Sequence, residues 1–257
     1  MTALLTNCIT NFHSLVKYKH KGEVMVSSEE RLDIMLQDMK KAELLYRPTN
    51  FWSSGLESIV QDLKKRGFSN FREHPSANSF YVPTYVSKIW RKHGKKLMPL
   101  LKILDGIHGM KAGSFISSIL KGEYEARCDH RIFLAANLED TFQLNHVSES
   151  GIGGSNHISL EGNSYSKSFL NYCRGLALLA QKQKIHPPLS VLEIGGGYGT
   201  LGEILLKSSK DSFYINVDIP PVAAVSSYYL IELLGEENVL TYEKAREMET
   251  IDIDVIK

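Results

Sequence analysis

Apolar residues in the first half of the chain recur at helical spacing. A first helix is predicted after the capping-box pattern at 27–30, and Pro48 is expected to end it. A second is predicted from a repeat of the box at Ser54 and Glu57, with Gly67 as its C-terminal cap. Further helices are predicted over three segments, namely 84–104 with a break at Pro99, 113–120 and 123–146.

In the second half, short apolar runs alternate with helical stretches. After a helix over 165–185, strands are predicted at 189–194, 213–217, 238–242 and 251–256, separated by helices at 199–207 and 222–234. This alternation is typical of a parallel sheet with right-handed crossovers. We therefore predict an α/β fold with a Rossmann-like domain, preceded by a mainly α-helical N-terminal region.

The segment from Val147 to Asn163 is rich in Gly, Ser and Asn, which is the composition of a loop or linker. We predict a helical region over 1–147, a linker with a connecting helix over 148–188, and the first half of a Rossmann-like cofactor-binding domain over 189–257. The helical region is a candidate for substrate binding or for assembly of a homo-oligomer.

Composition excludes several classes of protein. The chain has 30 Lys+Arg and 29 Asp+Glu, a net charge of +1, which argues against a nucleic-acid binder. No apolar run approaches the roughly 20 residues of a membrane span, and Met1 to Asn11 lacks the charged start of a cleaved signal. Three cysteines without a CxxC pair predict neither a disulfide framework nor a thiolate metal site, and we expect a cytoplasmic protein without a bound metal.

Charge is nevertheless uneven along the chain. Residues 1–150 hold 21 Lys+Arg and 16 Asp+Glu, and no acidic residue occurs between Ser76 and Leu104. The basic residues of that stretch are Lys88, Arg91, Lys92, His93, Lys95, Lys96 and Lys102. They are suited to guide an anionic acceptor, although a solvated helix face is the simpler interpretation.

The segment Val191–Gly202 carries the clearest chemical signal, because its pattern predicts a buried strand that leads through glycines into a helix. Glycines permit a tight bend and the close approach of a ligand to the backbone, and the helix N-terminus offers free N–H groups. Asp218 ends the next predicted strand, where a carboxylate can accept hydrogen bonds from ribose hydroxyls.

Two cofactors compete for this turn. Gly197, Gly199 and Gly202 fit the dinucleotide fingerprint of an NAD(P)-dependent oxidoreductase, whereas Glu193 followed by Gly195, Gly197 and Gly199 fits the methyltransferase form. Glu193 favours S-adenosyl-L-methionine, because a carboxylate suits the cationic methionine end better than an anionic pyrophosphate.

The same residues resemble a known group of enzymes. Val191 to Gly199, together with Asp218, looks like motif I and the following acidic position of Rossmann-like S-adenosyl-L-methionine-dependent methyltransferases. From about Phe142 onward the chain is similar to a family of sugar O-methyltransferases. The similar segments are Ser148–Ser150, Tyr165–Tyr172, Leu192–Gly199, Val217–Pro220 and Ser226–Leu230.

This resemblance implies methylation of a hydroxyl on a sugar or glycan acceptor, including a nucleotide-linked one. It places three glycines at the methionine end of the cofactor, Asp218 at the ribose and Ile219 at the adenine. The cofactor-binding residues it implies are Glu193, Gly195, Gly196, Gly197, Tyr198, Gly199, Asp218 and Ile219.

The resemblance does not supply a catalytic base. His157 and Tyr165 are the candidates near the glycine-rich loop, in which Gly153–Asn156 replaces the family's Gly-Asn-Pro. Family members have a seven-stranded sheet, and 252–256 looks like its fourth strand, so the later strands are expected to be missing. A catalytically inactive binding or assembly module is therefore a further alternative.

Overall fold

The computed structural model describes residues 26–44, 47–108, 111–154 and 157–250. The expectations for Met1 to Asn11 and for a strand over 251–256 lie outside these residues. None of the helices in the described ranges is both long and apolar enough to cross a lipid bilayer.

The first two helices confirm part of the predicted pattern. Helix α1, Ser28–Lys41, begins with the predicted capping box: the Glu30 N–H donates to Ser27 Oγ and the Ser27 N–H donates to Glu30 Oε2. Helix α2, Asn50–Arg66, ends at Gly67, whose φ of 75° confirms the predicted cap. The prediction of a second capping box is wrong, because Thr49 takes the N-cap position and Ser54 lies inside the helix.

Four further helices follow in the described part of the N-terminal region: α3 (Ala77–Phe80), α4 (Lys88–His108), α5 (Ala112–Leu120) and α6 (Glu123–Ala136). Helix α4 continues through Pro99, so the predicted break is wrong. Helix α6 ends well before residue 146, because Asp140 and Gln143 adopt positive φ angles that a helix cannot contain.

The described residues of the second half form two small sheets with helices between and after their strands. The elements are β1 (Ile158–Leu160), β2 (Asn163–Tyr165), α7 (Lys167–Gln183), β3 (Ser190–Ile194), α8 (Thr200–Ser208), β4 (Phe213–Val217), α9 (Pro220–Leu234) and α10 (Tyr242–Ala245). Strands β1 and β2 form an antiparallel hairpin where a linker was predicted. Strands β3 and β4 are parallel, with Glu193 opposite Asn216, which confirms a strand–helix–strand unit.

The predicted strand over 238–242 is wrong. Residues Glu236–Asn238 form a 3₁₀ turn, and α10 begins directly after the extended residue Thr241. Within the described residues, the protein is therefore an α/β fold with two-stranded sheets and a mainly helical N-terminal region.

Two hydrophobic cores hold these elements together. The first joins α6, the β1–β2 hairpin, α7 and α8 around residues such as Phe133, Phe169 and Ile204. The second joins α1 and α2 to α9, where Ile59, Phe71 and Val225 lie among its buried residues. The helical N-terminal region thus shares its core with the helix that follows β4.

The β3–β4 sheet has two unlike faces, because alternate residues of a strand point to opposite sides. Glu193 and Tyr214 lie on the inner face, toward α7 and α8. On the outer face, Leu192, Ile194 and Val217 have 62%, 82% and 48% of their surface exposed.

Contact between α4 and α5 depends on Gly113. A Cβ at this position would lie 2.0 Å from the Leu101 carbonyl oxygen, whereas one at Gly106 would meet nothing within 4 Å. We expect Gly113→Ala to lower the free energy of unfolding by about 1–3 kcal/mol through overpacking. Gly106→Ala, on the exposed side of α4, should raise it by up to about 1 kcal/mol. Urea unfolding of both variants measures the difference. A free energy of unfolding for Gly113→Ala equal to that of the wild type would contradict the packing described.

Candidate functional site

A glycine turn connects β3 to α8. Gly195, Gly197 and Gly199 have φ angles of 76°, 59° and 97°, in the region that only glycine adopts without strain. Gly199 is the N-cap of α8, so the first-turn N–H groups of this helix lie beside the bend. The predicted strand, turn and helix are confirmed here, but the expected burial of the strand is wrong, because Leu192 and Ile194 lie on an uncovered face of the sheet.

The next strand holds this turn in place. Asp218 Oδ2 accepts a hydrogen bond from the Gly197 N–H at 2.8 Å, and its Oδ1 accepts one from the Ile219 N–H at 2.7 Å. The Asn216 amide donates to the Gly197 carbonyl at 3.0 Å and to Ser226 Oγ at 2.7 Å. Both backbone polar groups of Gly197 are therefore bonded to side chains at the end of β4.

Burial raises the pKa of Asp218, and the two backbone N–H donors offset part of that rise. Each carboxylate oxygen accepts one N–H and has a further lone pair for a ligand hydroxyl. The predicted ribose-binding residue thus also has a structural role in the turn.

Glu193 lies behind the turn and is held by two phenols. Tyr172 donates to its Oε1 and Tyr214 to its Oε2, both at 2.6 Å. Burial and the hydrogen bond to Glu193 raise the pKa of both tyrosines. A Cβ at Gly196 would lie 2.4 Å from Asn216 Oδ1 and 2.7 Å from Glu193 Oε2, so this glycine is required for close packing.

A cleft of about 620 Å³ opens in front of the turn. This volume is within the usual range of small-molecule sites. The lining residues are Trp52, Phe80, Tyr81, Pro83, Glu125, Asp129, Lys167, Ser168, Asn171, Tyr172, Arg174, Gly195, Gly196, Gly197, Tyr198, Thr200, Asp218 and Val222. Of the sequence-predicted cofactor residues, Glu193, Gly199 and Ile219 are not on this lining.

Charged side chains from α6 and α7 form a further part of the cleft lining, called here the α6–α7 wall. Lys167 Nζ lies 2.6 Å from Glu125 Oε1, and Arg174 Nη1 lies 3.5 Å from Asp129 Oδ1. Tyr85 donates to Asp129 Oδ2 at 2.8 Å. This wall could not be predicted from the sequence, because it is formed by residues from two helices that meet only in the folded chain.

His157 and Tyr165, the acid/base candidates, do not border the cleft. Tyr165 is 1% exposed and packs in the first core against His130 and Phe169. His157 Nε2 lies 2.7 Å from Arg72 Nη1. The same nitrogen lies 3.5 Å from Glu149 Oε2, so His157 belongs to a buried polar cluster and not to the cleft.

Next to the turn lies a buried ion cluster that the sequence did not predict. Arg72 and Glu149 have fully buried side chains, and Arg72 Nη1 lies 2.5 Å from Glu149 Oε1. Ser166 donates its N–H to Glu149 Oε2 at 2.6 Å. Tyr198, from the glycine turn, donates to Glu149 Oε1 at 3.2 Å, and its ring centroid lies 4.8 Å from the Arg72 guanidinium carbon. The cluster therefore contacts the cleft lining through Tyr198.

A second carboxylate extends the cluster to α8 and α9. Tyr229 hydrogen-bonds to Glu203 and accepts from Arg72 Nη2 at 3.2 Å. Glu203 Oε1 also accepts from the Ser150 N–H and from Lys207 Nζ, each at 2.7 Å. The Ser148–Ser150 segment, noted only for its resemblance, thus contributes a buried carboxylate and a backbone donor.

Scans of protein-family models, of curated proteins and of solved structures found no match to this chain. In the described part of the chain, no group of three or more His, Cys, Asp or Glu side chains is arranged to hold a metal ion.

Acid should weaken the buried cluster through Glu149. Burial opposes ionisation of this carboxylate, but its hydrogen bonds and the adjacent charge of Arg72 outweigh burial and lower its pKa. A group with a lowered folded-state pKa contributes stability above its unfolded value of about 4.3 and loses that contribution as pH falls toward the folded value. We expect Glu149→Gln to cost about 3–5 kcal/mol at pH 7, because Arg72 is left buried without its counter-charge.

Urea unfolding of the wild type and Glu149→Gln, measured between pH 7 and pH 3, tests this expectation. The wild type should lose stability below about pH 5, and the difference from Glu149→Gln should shrink there. Glu139→Gln, at an exposed carboxylate, serves as the matched control and should follow the wild type. Equal stability of Glu149→Gln and the control at pH 7 would refute the role of the pair.

Proposed function

We propose that this cleft binds S-adenosyl-L-methionine and that the protein is an O-methyltransferase acting on a sugar hydroxyl. The observation that carries the proposal is the glycine turn at 195–197, which opens onto the cleft beside Asp218. The sugar acceptor rests on the sequence resemblance, and the adenosyl cofactor rests on the turn.

The turn leaves room for a ligand. A Cβ at Gly195 would meet nothing within 4 Å, and one at Gly197 would meet only the Tyr81 carbonyl oxygen, at 3.9 Å. A ligand can therefore approach the backbone closely at both positions. The Tyr81 hydroxyl is buried without a hydrogen-bond partner among the described residues, and Tyr81 lines the same cleft.

Charge near the turn favours a cationic cofactor end over a pyrophosphate. Asp218 lies on the cleft lining, and Glu193 lies directly behind Gly196. Two carboxylates near one turn repel an anionic pyrophosphate and attract an ammonium or sulfonium group. This supports S-adenosyl-L-methionine over NAD(P).

When bound, the cofactor supplies an electrophilic methyl group. The chain's own contribution is to orient the two ligands and to exclude water from the space between them. Asp218 is suited to accept hydrogen bonds from the ribose hydroxyls. The α6–α7 wall lines the same cleft as the turn and is suited to hold the acceptor, where Glu125 and Asp129 offer carboxylates that can take up a hydroxyl proton.

Calorimetric titration with S-adenosylhomocysteine, run beside NAD and NADH, tests the choice of cofactor. We expect saturable binding of S-adenosylhomocysteine alone. Asp218→Asn should weaken this binding about tenfold or more, because hydrogen bonds to a charged acceptor contribute about 1.5–3 kcal/mol. The exposed carboxylate Asp211, changed to Asn, is the matched control and should bind as the wild type does.

Each other outcome of the titration has a defined meaning. Binding of NAD or NADH instead would support the oxidoreductase alternative. Binding of none of the three would favour the inactive binding or assembly module. Equal weakening by Asp218→Asn and Asp211→Asn would show that the ligand binds elsewhere.

A substitution in the turn tests directly whether the ligand binds there. Gly197→Val fills the open space and forces a branched side chain into a φ of 59°, which costs about 1–2 kcal/mol of stability. We expect binding of S-adenosylhomocysteine to be lost while circular dichroism stays that of a folded protein. Gly175→Val, on the exposed side of α7, is the matched control and should retain affinity. Unchanged affinity of Gly197→Val would exclude the turn as the binding site.

A further inference from the structure

We propose that the exposed face of α4 binds the surface of an anionic membrane. This face, called here the basic face, combines exposed apolar side chains with exposed basic ones. It lies outside the residues that line the cleft, so its role is independent of the methyltransferase proposal.

Exposed apolar side chains are concentrated in the segment of the chain that contains the basic face. Among the described residues, 17 large hydrophobic side chains are exposed, and 7 of them lie between residues 89 and 124. On α4 these are Ile89, Leu100 and Ile103, each more than half exposed. The other four, Phe115, Ile116, Ile119 and Tyr124, lie on α5 and just beyond it and are not part of the α4 face. Exposed apolar residues on one side of a helix can mark a binding surface.

Helical geometry places the α4 residues on one stripe. At 100° per residue, Ile89, Leu100 and Ile103 fall within about 60° of one another. Lys92 and Lys96 fall inside or beside the same stripe. Gly94 and Leu101 fall on the opposite side, where both are buried toward the protein.

The charge of α4 is of one sign over most of its length. Its first acidic residue is Asp105, and all of the basic side chains from Lys88 to Lys102 are exposed. Asp105 does not face outward as a free charge, because it accepts hydrogen bonds from Gly113 and Ser114 at the start of α5. A positive potential therefore extends over the stripe.

This combination fits a lipid surface better than other anionic partners. A helix with Lys and Arg beside Leu, Ile and Phe inserts its apolar side chains at the headgroup boundary, while its basic residues meet anionic headgroups. A soluble anion or a nucleic acid would use the charges but not the apolar residues. A second copy of the chain would bring two faces of like charge together.

Co-sedimentation of the full chain with vesicles tests the proposal. We expect binding to vesicles of phosphatidylcholine with phosphatidylserine, little binding to phosphatidylcholine alone, and weaker binding as salt is raised. Lys92→Gln with Lys96→Gln should reduce the partition coefficient about thirtyfold, since each surface lysine contributes about fivefold. Leu100→Ser with Ile103→Ser should reduce it about tenfold or more.

Matched controls separate this face from a general effect of charge or hydrophobicity. Lys182→Gln with Lys210→Gln removes the same charge from exposed positions elsewhere, and Leu138→Ser removes a leucine that is 79% exposed. Both should bind vesicles as the wild type does. Absence of vesicle binding, equal loss in the controls, or a dimer in light scattering that Leu100→Ser with Ile103→Ser dissociates would each overturn the proposal.

Discussion

A buried ion pair between Arg72 and Glu149 connects segments that are far apart in the chain. It joins the helical N-terminal region to the segment before β1, and its partners extend to the glycine turn, α8 and α9. A charge without water must be surrounded by partners, because an unpaired buried ion costs several kcal/mol. The cluster therefore fixes the relative position of three parts of the chain, and through Tyr198 it also fixes one side of the cleft.

Much of the fold could be predicted from the sequence because it follows local rules. The capping box at Ser27, the glycine end of α2 and the β3–α8–β4 unit all depend on residues close together in the chain. The predicted secondary structure is wrong where contacts between distant parts of the chain decide the local conformation. The linker predicted at 147–163 overlaps a hairpin over 158–165 whose core side chains, Leu160 and Tyr165, pack with α6 and α7. The segment at 238–242 has strand-like composition but lies between a 3₁₀ turn and α10.

The residues of the candidate site likewise divide into those that could be predicted from local sequence and those that could not. The glycines and Asp218 could be predicted because a tight bend needs particular residues at particular positions. Arg72 could not, because a single arginine in a helical region has no local signal for a partner 77 residues away. Tyr214 and Asn216 had a weak signal: with Asp218 they are polar residues at every second position of an apolar strand, which indicates one shared face.

One consequence of the glycine turn concerns its local stability. Glycine loses more conformational freedom on folding than any other residue, so a turn with three left-handed glycines has little intrinsic order. Both backbone groups of Gly197 are instead fixed by Asn216 and Asp218. Hydrogen exchange at the Gly197 amide should therefore report the opening of β4, rather than fraying of α8, because its bonds break only when that strand end departs.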